Sequence, residues 1–150
     1  ANMADVMFVQ MMIPHHEGAI EMSDVLLSKS GVDPEVVEPA EQIKAAQGPE
    51  IEQMKQWLDD WGMPAMSDSM DGMDHGGMMS DTDMQALQDA TGVEASRLFL
   101  EQMIVHHEGA IEMAKTEQSE GEFPEALDMA KEIETTQAEE IQTMQNLLKS

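Results

Sequence analysis

The feature that most constrains this chain is a twelve-residue segment that occurs twice. MMIPHHEGAIEM at 11–22 returns as QMIVHHEGAIEM at 102–113, ninety-one residues later. Four of the five histidines lie in these two segments, each pair flanked by methionines. Apolar residues fall at helical period around both, with Val6, Val9, Ile13, His16, Ile20 and Leu27 along one seam. Phe8, Met12, His15, Ala19, Met22 and Leu26 line the adjoining one. So wide an apolar face predicts a long amphipathic helix from about residue 3 to 30 that must be buried against others.

The rest of the chain repeats as well. Ser30-Gly31-Val32-Asp33-Pro34 reads as a helix stop and a new start, with Gly31 as C-cap glycine, Asp33 as N-cap and Pro34 in the first turn. A second helix over about 34–61 carries Val37, Ile43, Ala46, Ile51, Met54 and Leu58 inward, with kinks expected at Pro39 and Gly48-Pro49, as at Pro14 in the first helix. Its counterpart over about 123–149 matches Ile43, Gln47, Glu50, Ile51, Met54 and Leu58 with Ile133, Gln137, Glu140, Ile141, Met144 and Leu148. The repeated unit is therefore a helical hairpin. The organisation expected is a first hairpin over 1–61, a Met-rich flexible linker over 62–80, and a short helix plus second hairpin over 81–150. Together they predict one all-α domain, an antiparallel four-helix bundle of two duplicated hairpins.

At about 100° per residue, Met12, His15, His16 and Met22 share one sector of the first helix, while Glu17 and Glu21 point the other way into solvent. Met103, His106, His107 and Met113 repeat the pattern, with Glu108 and Glu112 outside. Ala19 leaves space beside the imidazoles, and Gly18, unfavourable by about 1 kcal/mol against alanine in a helix, suggests the close approach of another helix or a ligand. Neutral imidazole and thioether together are a copper ligand set, and thioethers favour Cu(I) and Ag(I) over hard ions. The linker adds Met63, Met66, Met70, Met73, His75, Met78 and Met79, with Met84 just beyond, in a stretch that has almost no other apolar side chain. Core filling does not account for thioethers there; capture of a soft monovalent ion does.

Composition removes several alternatives. Thirty-one acidic against seven basic side chains, net charge −24, repel nucleic acid and anionic membranes. No apolar run reaches the roughly 20 residues of a membrane span, and without cysteine there is no thiolate site or disulfide framework. An EF-hand starting at Asp68 would end on Met79 where glutamate is required. A ferritin-like di-iron oxidase needs Glu-x-x-His on two helices, and neither copy has glutamate three residues before a histidine. No catalytic residues are assigned.

The two HHEGAIEM segments, Ala90-Thr91-Gly92 leading into Arg97-Leu98-Phe99-Leu100, and the Gln-x-x-Glu-Ile-x-x-Met helices resemble the bacterial family called domain of unknown function 305, in two tandem copies over nearly the whole chain. The resemblance implies a ferritin-like bundle, usually exported, whose members bind copper through methionine and histidine and contribute to copper resistance. It carries over to Met12, His15, His16, Met22, Met103, His106, His107 and Met113. The expected function is copper sequestration, storage or trafficking, with Cu(I) the main ion and Ag(I) and Cu(II) also accepted. A copper-transport protein is the one macromolecular partner this reading admits. The start Ala1-Asn2-Met3 suits a processed product, and a periplasmic or secreted location is expected. A metal-dependent oxidase and an acidic helical interaction protein without metal are the competing readings.

Overall fold

The computed structural model describes residues 1–64 and 81–149. They form five α-helices: α1 Met3–Leu27, α2 Pro34–Trp61, α3 Asp81–Asp89, α4 Gly92–Glu120 and α5 Pro124–Lys149. No strand occurs among the described residues, so the protein is all-α.

The helix ends follow local chemistry. Asn2 and Asp5 make a reciprocal capping box at the start of α1, each side chain accepting from the other's backbone N–H. Asp33 accepts from the N–H of Glu35, Pro34 occupies the first turn of α2, and Gly62 closes that helix in the left-handed region at φ 67°. The first helix stops at Leu27, earlier than its apolar spacing suggests. Ser28 turns its hydroxyl back to the carbonyl of Val25 at 2.7 Å, and Lys29 is drawn away to the carbonyls of Gln88 and Ala90. Backbone and side-chain groups that would extend α1 thus find other partners. Both α1 and α2 continue as helix through Pro14, Pro39 and Pro49.

Two apolar clusters fill the interior. The first joins Phe8, Val9, Met12 and Ile13 of α1 to Ile51, Met54, Trp57 and Leu58 of α2, Ala110 and Ala114 of α4, and α5 residues from Ala126 to Ile133. The second joins Ala19, Met22 and Leu26 of α1 to Val36, Ala40 and Ile43 of α2, Leu87 of α3, α4 residues from Ala95 to Met103, and Met144 of α5. The N-terminal half of α1 thus shares a cluster with the C-terminal part of α4, and the reverse holds at the other end. The histidine pairs fall between the two clusters along both helices.

Two positions assigned to the buried face of α2 differ. Val36 is buried and Val37 only partly so, and Ala46 is exposed. The seam runs Val36, Ala40, Ile43, Gln47, Ile51, Met54 in steps of three and four, and Ala46 sits about 100° off it. Met63 and Met84 also differ from expectation. Met63 packs on the first cluster and Met84 on the second, so apolar burial does account for these two. Met63 follows the C-terminus of α2, and Met84 lies within α3. Met66, Met70, Met73, His75, Met78 and Met79 lie outside the described residues.

Candidate metal centre

His15 and His16 on α1 and His106 and His107 on α4 are all buried, with at most 1 % of their surface exposed. Consecutive residues on one helix face lie about 100° apart, so each pair presents one ring toward the opposite helix and one toward its own hairpin partner. His15 and His106 meet across the middle, their rings stacked with centroids 3.7 Å apart and planes 29° apart. Gly18 makes room for this contact. A Cβ at that position would stand 3.3 Å from Nε2 of His106, the close approach expected of the glycine.

The outer rings meet carboxylates. Nε2 of His16 lies 2.7 Å from Oε1 of Glu50 on α2, and Nε2 of His107 lies 2.6 Å from Oε1 of Glu140 on α5. A carboxylate can only accept, so in a neutral ring Nε2–H is the donor and the lone pair is left on Nδ1. Nδ1 of both His16 and His107 is buried without a protein partner, as is Nε2 of His106. Leaving such an acceptor unpaired in an apolar interior costs about 1–3 kcal/mol. A bound cation would use it. Carboxylate–imidazole pairs of this kind fix the tautomer and raise the basicity of a metal-binding ring.

The surroundings keep the His106 ring neutral. Burial lowers the pKa of His106 well below 6.5, and the neighbouring imidazoles of His15, His107 and His16 lower it further, because charge on one ring opposes charge on the next. Neutral imidazole is the metal-binding form. Among the described residues no three His, Asp or Glu side chains gather into a cation site. The remaining donors at this level are thioethers: Met12 and Met54 in the first cluster, Met22, Met103 and Met144 in the second, all fully buried.

The glutamates within the repeated segments, Glu17, Glu21, Glu108 and Glu112, are exposed as expected. The role of orienting the rings falls to Glu50 and Glu140, to which sequence reasoning assigned no site role. Their signal was present, since the two hairpin alignments pair Glu50 with Glu140. Met113 also departs from its counterpart. Met22 is fully buried in the second cluster, whereas Met113 is partly exposed on the first and lines a cavity with Met7 and Met11.

A second buried polar pair sits at the end of the helices. Burial alone would raise the pKa of Asp5, but a hydrogen bond with Glu117 and the backbone N–H groups of Asn2, Glu122 and Phe123, from which it accepts, lower it and hold its carboxylate charged. Glu117 beside it is pushed up to about 8 by burial, by a hydrogen bond with Asp5 and by the charge of Asp5. A Cβ at Gly121 would meet the Glu117 carboxyl, which would have to shift to admit it.

A sequence model for a domain of unknown function, DUF305, matches residues 5–148 and so spans both histidine segments. No curated protein matches the chain. Among solved structures, a DUF305 protein of Streptomyces coelicolor, described provisionally as secreted, is 32% identical with a TM-score of 0.88, over 97% of this chain and 90% of that one. A DUF305 fragment from Deinococcus radiodurans is also 32% identical, with a TM-score of 0.86 over 99% of this chain and 97% of that one. CopM in its Cu(II)-bound form is 32% identical with a TM-score of 0.83, over 97% of this chain and 95% of that one. CopM has also been solved with Cu(I) and with Ag bound.

Proposed function

The chain belongs to the DUF305 family, and on that premise we propose that it is a copper-binding protein that takes Cu(I), Ag(I) and Cu(II) for sequestration, storage or trafficking in metal resistance. The observation that carries this reading is the pair of buried imidazoles, His16 and His107, each tied through Nε2 to a carboxylate and each keeping Nδ1 without a protein partner. A ring needed only for packing would not require the same orienting carboxylate twice. Met12, Met22 and Met103 supply thioethers beside His15, His16, His106 and His107, and the mixture suits copper better than zinc or magnesium. The copper- and silver-bound forms of CopM support the same ion class.

In this reading the four long helices form an antiparallel bundle of two related hairpins, and the protein binds metal without catalysing a reaction. The Met-rich segment over 62–80 adds thioether capacity, and the working location is outside the cytoplasm, where methionine sites survive oxidising conditions that would cost thiolates. No helix among the described residues is long and apolar enough to cross a membrane.

The test is competition with a chromophoric Cu(I) chelator, with and without Zn(II). Cu(I) held against the chelator and not displaced by equal free Zn(II) is the expected result. Displacement by Zn(II), or no copper uptake, would overturn the reading.

A further inference from the structure

The first turns of α1 present methionine where a helix surface normally carries polar residues. Met3 is 65% and Met7 51% exposed, and with Met11 they recur at every fourth residue. Residues four apart lie on one helix face with Cβ atoms about 5–6 Å apart. Across from them, α4 contributes Met113. Met7, Met11 and Met113 line one cavity of about 400 Å³ between the two helices.

We infer that Met7 and Met11 of α1 and Met113 of α4 form a second soft-cation site, on the outer α1–α4 face, which takes Cu(I) or Ag(I) through three thioether sulfurs. The site is separate from the histidine layer. Its donors come from both copies of the repeated hairpin but not from equivalent positions, because Met22, the counterpart of Met113, is sealed in the second cluster.

The donor chemistry selects the ion. Thioethers bind Cu(I) and Ag(I) and discriminate against hard divalent ions. Of the oxygen donors at the cavity, Glu117 turns to Asp5, Thr116 donates its hydroxyl to the Glu112 carbonyl and Glu120 stands exposed at the rim. One rim carboxylate is too little for a hard-ion site, but it attracts a cation, as does the net charge of −24. Ala4 and Phe8 complete an apolar floor. Methionine side chains have three flexible torsions and a polarisable sulfur, so the three can close on an ion much smaller than the cavity. Ordinary packing leaves the exposure of Met7 unexplained, since leucine would fill an apolar groove equally well.

The inference rests on the proposed function only for the identity of the ion, and the experiment separates the two. The full chain is labelled with ¹³C at the methionine ε-methyl groups and titrated with Ag(I), which is redox-stable. The Met7, Met11 and Met113 methyl signals shift together as one Ag(I) is taken up. In a second arm, Met7→Leu/Met11→Leu/Met113→Leu keeps the groove apolar and binds about one Ag(I) per chain fewer than the parent, while Cu(II) uptake by the histidine layer is unchanged. If Ag(I) binds but those three methyl signals stay in place, or the triple variant binds as many ions as the parent, the outer site is wrong and the proposed function stands. If the parent binds no Ag(I) or copper, both fall.

Discussion

His16 and His107 sit in nearly the same surroundings; Met22 and Met113 do not. Both rings are fully buried, and each meets a glutamate whose side chain is 18% exposed. The methionines six residues further along the same repeated segments end up in a sealed core and in an open groove. The cause is α3. Leu87 of that short helix is buried in the cluster that holds Met22, and no described helix covers the opposite end in the same way. A repeated sequence thus keeps its equivalence where its own helices surround it and loses it where an unrepeated element covers one copy only.

The largest effect expected from breaking the equivalent part comes from His16→Ala/His107→Ala. Truncating two buried side chains costs the apo protein several kcal/mol, at about 2–5 kcal/mol for a large core side chain cut to alanine. It should also abolish the proposed copper site of the histidine layer, read by chelator competition, with the stability loss read by thermal unfolding. Next comes the unequal part. Met22→Ala should destabilise by about 2–5 kcal/mol, while Met113→Ala, already partly in water, costs clearly less; equal losses in denaturant melts would deny the asymmetry. Smaller again is Glu50→Gln or Glu140→Gln, which keeps a hydrogen bond but weakens the orienting charge. Loss of an orienting partner lowers metal affinity by about 10–100-fold, and the two variants should match each other within error.

The smallest effect is a change of slope with pH. The pKa of His106 is lowered in the folded protein, so below about 6.5 the unfolded chain takes up a proton that the folded one refuses, and apo stability falls on acidification. Glu117 acts in the other direction. The unfolded chain loses this proton near 4.5 and the folded one keeps it to about 8, so stability falls as pH rises across that window. Between pH 5 and 6.5 the two slopes oppose each other, so melting the apo protein from pH 5 to 9 should show little change there and an alkaline limb that falls from about 6.5 to 8. Glu117→Gln should flatten the alkaline limb and uncover a loss of stability on the acid side. An unchanged alkaline limb would remove Glu117 from the account.

Much of this was legible in the sequence. Asp33-Pro34 and Trp61-Gly62 bound α2 at the residues observed, and the two seams of α1 from Val6 to Leu26 are buried almost throughout. Periodicity reports such faces well because burial averages over many residues. It reports single polar contacts poorly. Glu50 and Glu140 looked like any glutamate on an acidic surface, and only the position of α1 and α4 beside them turns their carboxylates onto imidazoles. The Asp5–Glu117 pair was unreadable for the same reason, since residues 5 and 117 meet only through the α4–α5 turn. Met63 and Met84 looked free of the core because they border a stretch with almost no other apolar side chain, whereas the end of α2 and the short α3 bring them onto apolar clusters.

The central claim is that His16 and His107 offer Nδ1 to a soft metal while Glu50 and Glu140 hold Nε2–H. Long-range ¹H–¹⁵N correlation of the imidazole rings reads both nitrogens directly. In the apo protein the two rings should appear as Nε2–H tautomers, and on adding Ag(I) the Nδ1 resonances should move while Nε2 stays protonated. Protonated Nδ1 in the apo protein, or full metal uptake that leaves both Nδ1 signals in place, would contradict it.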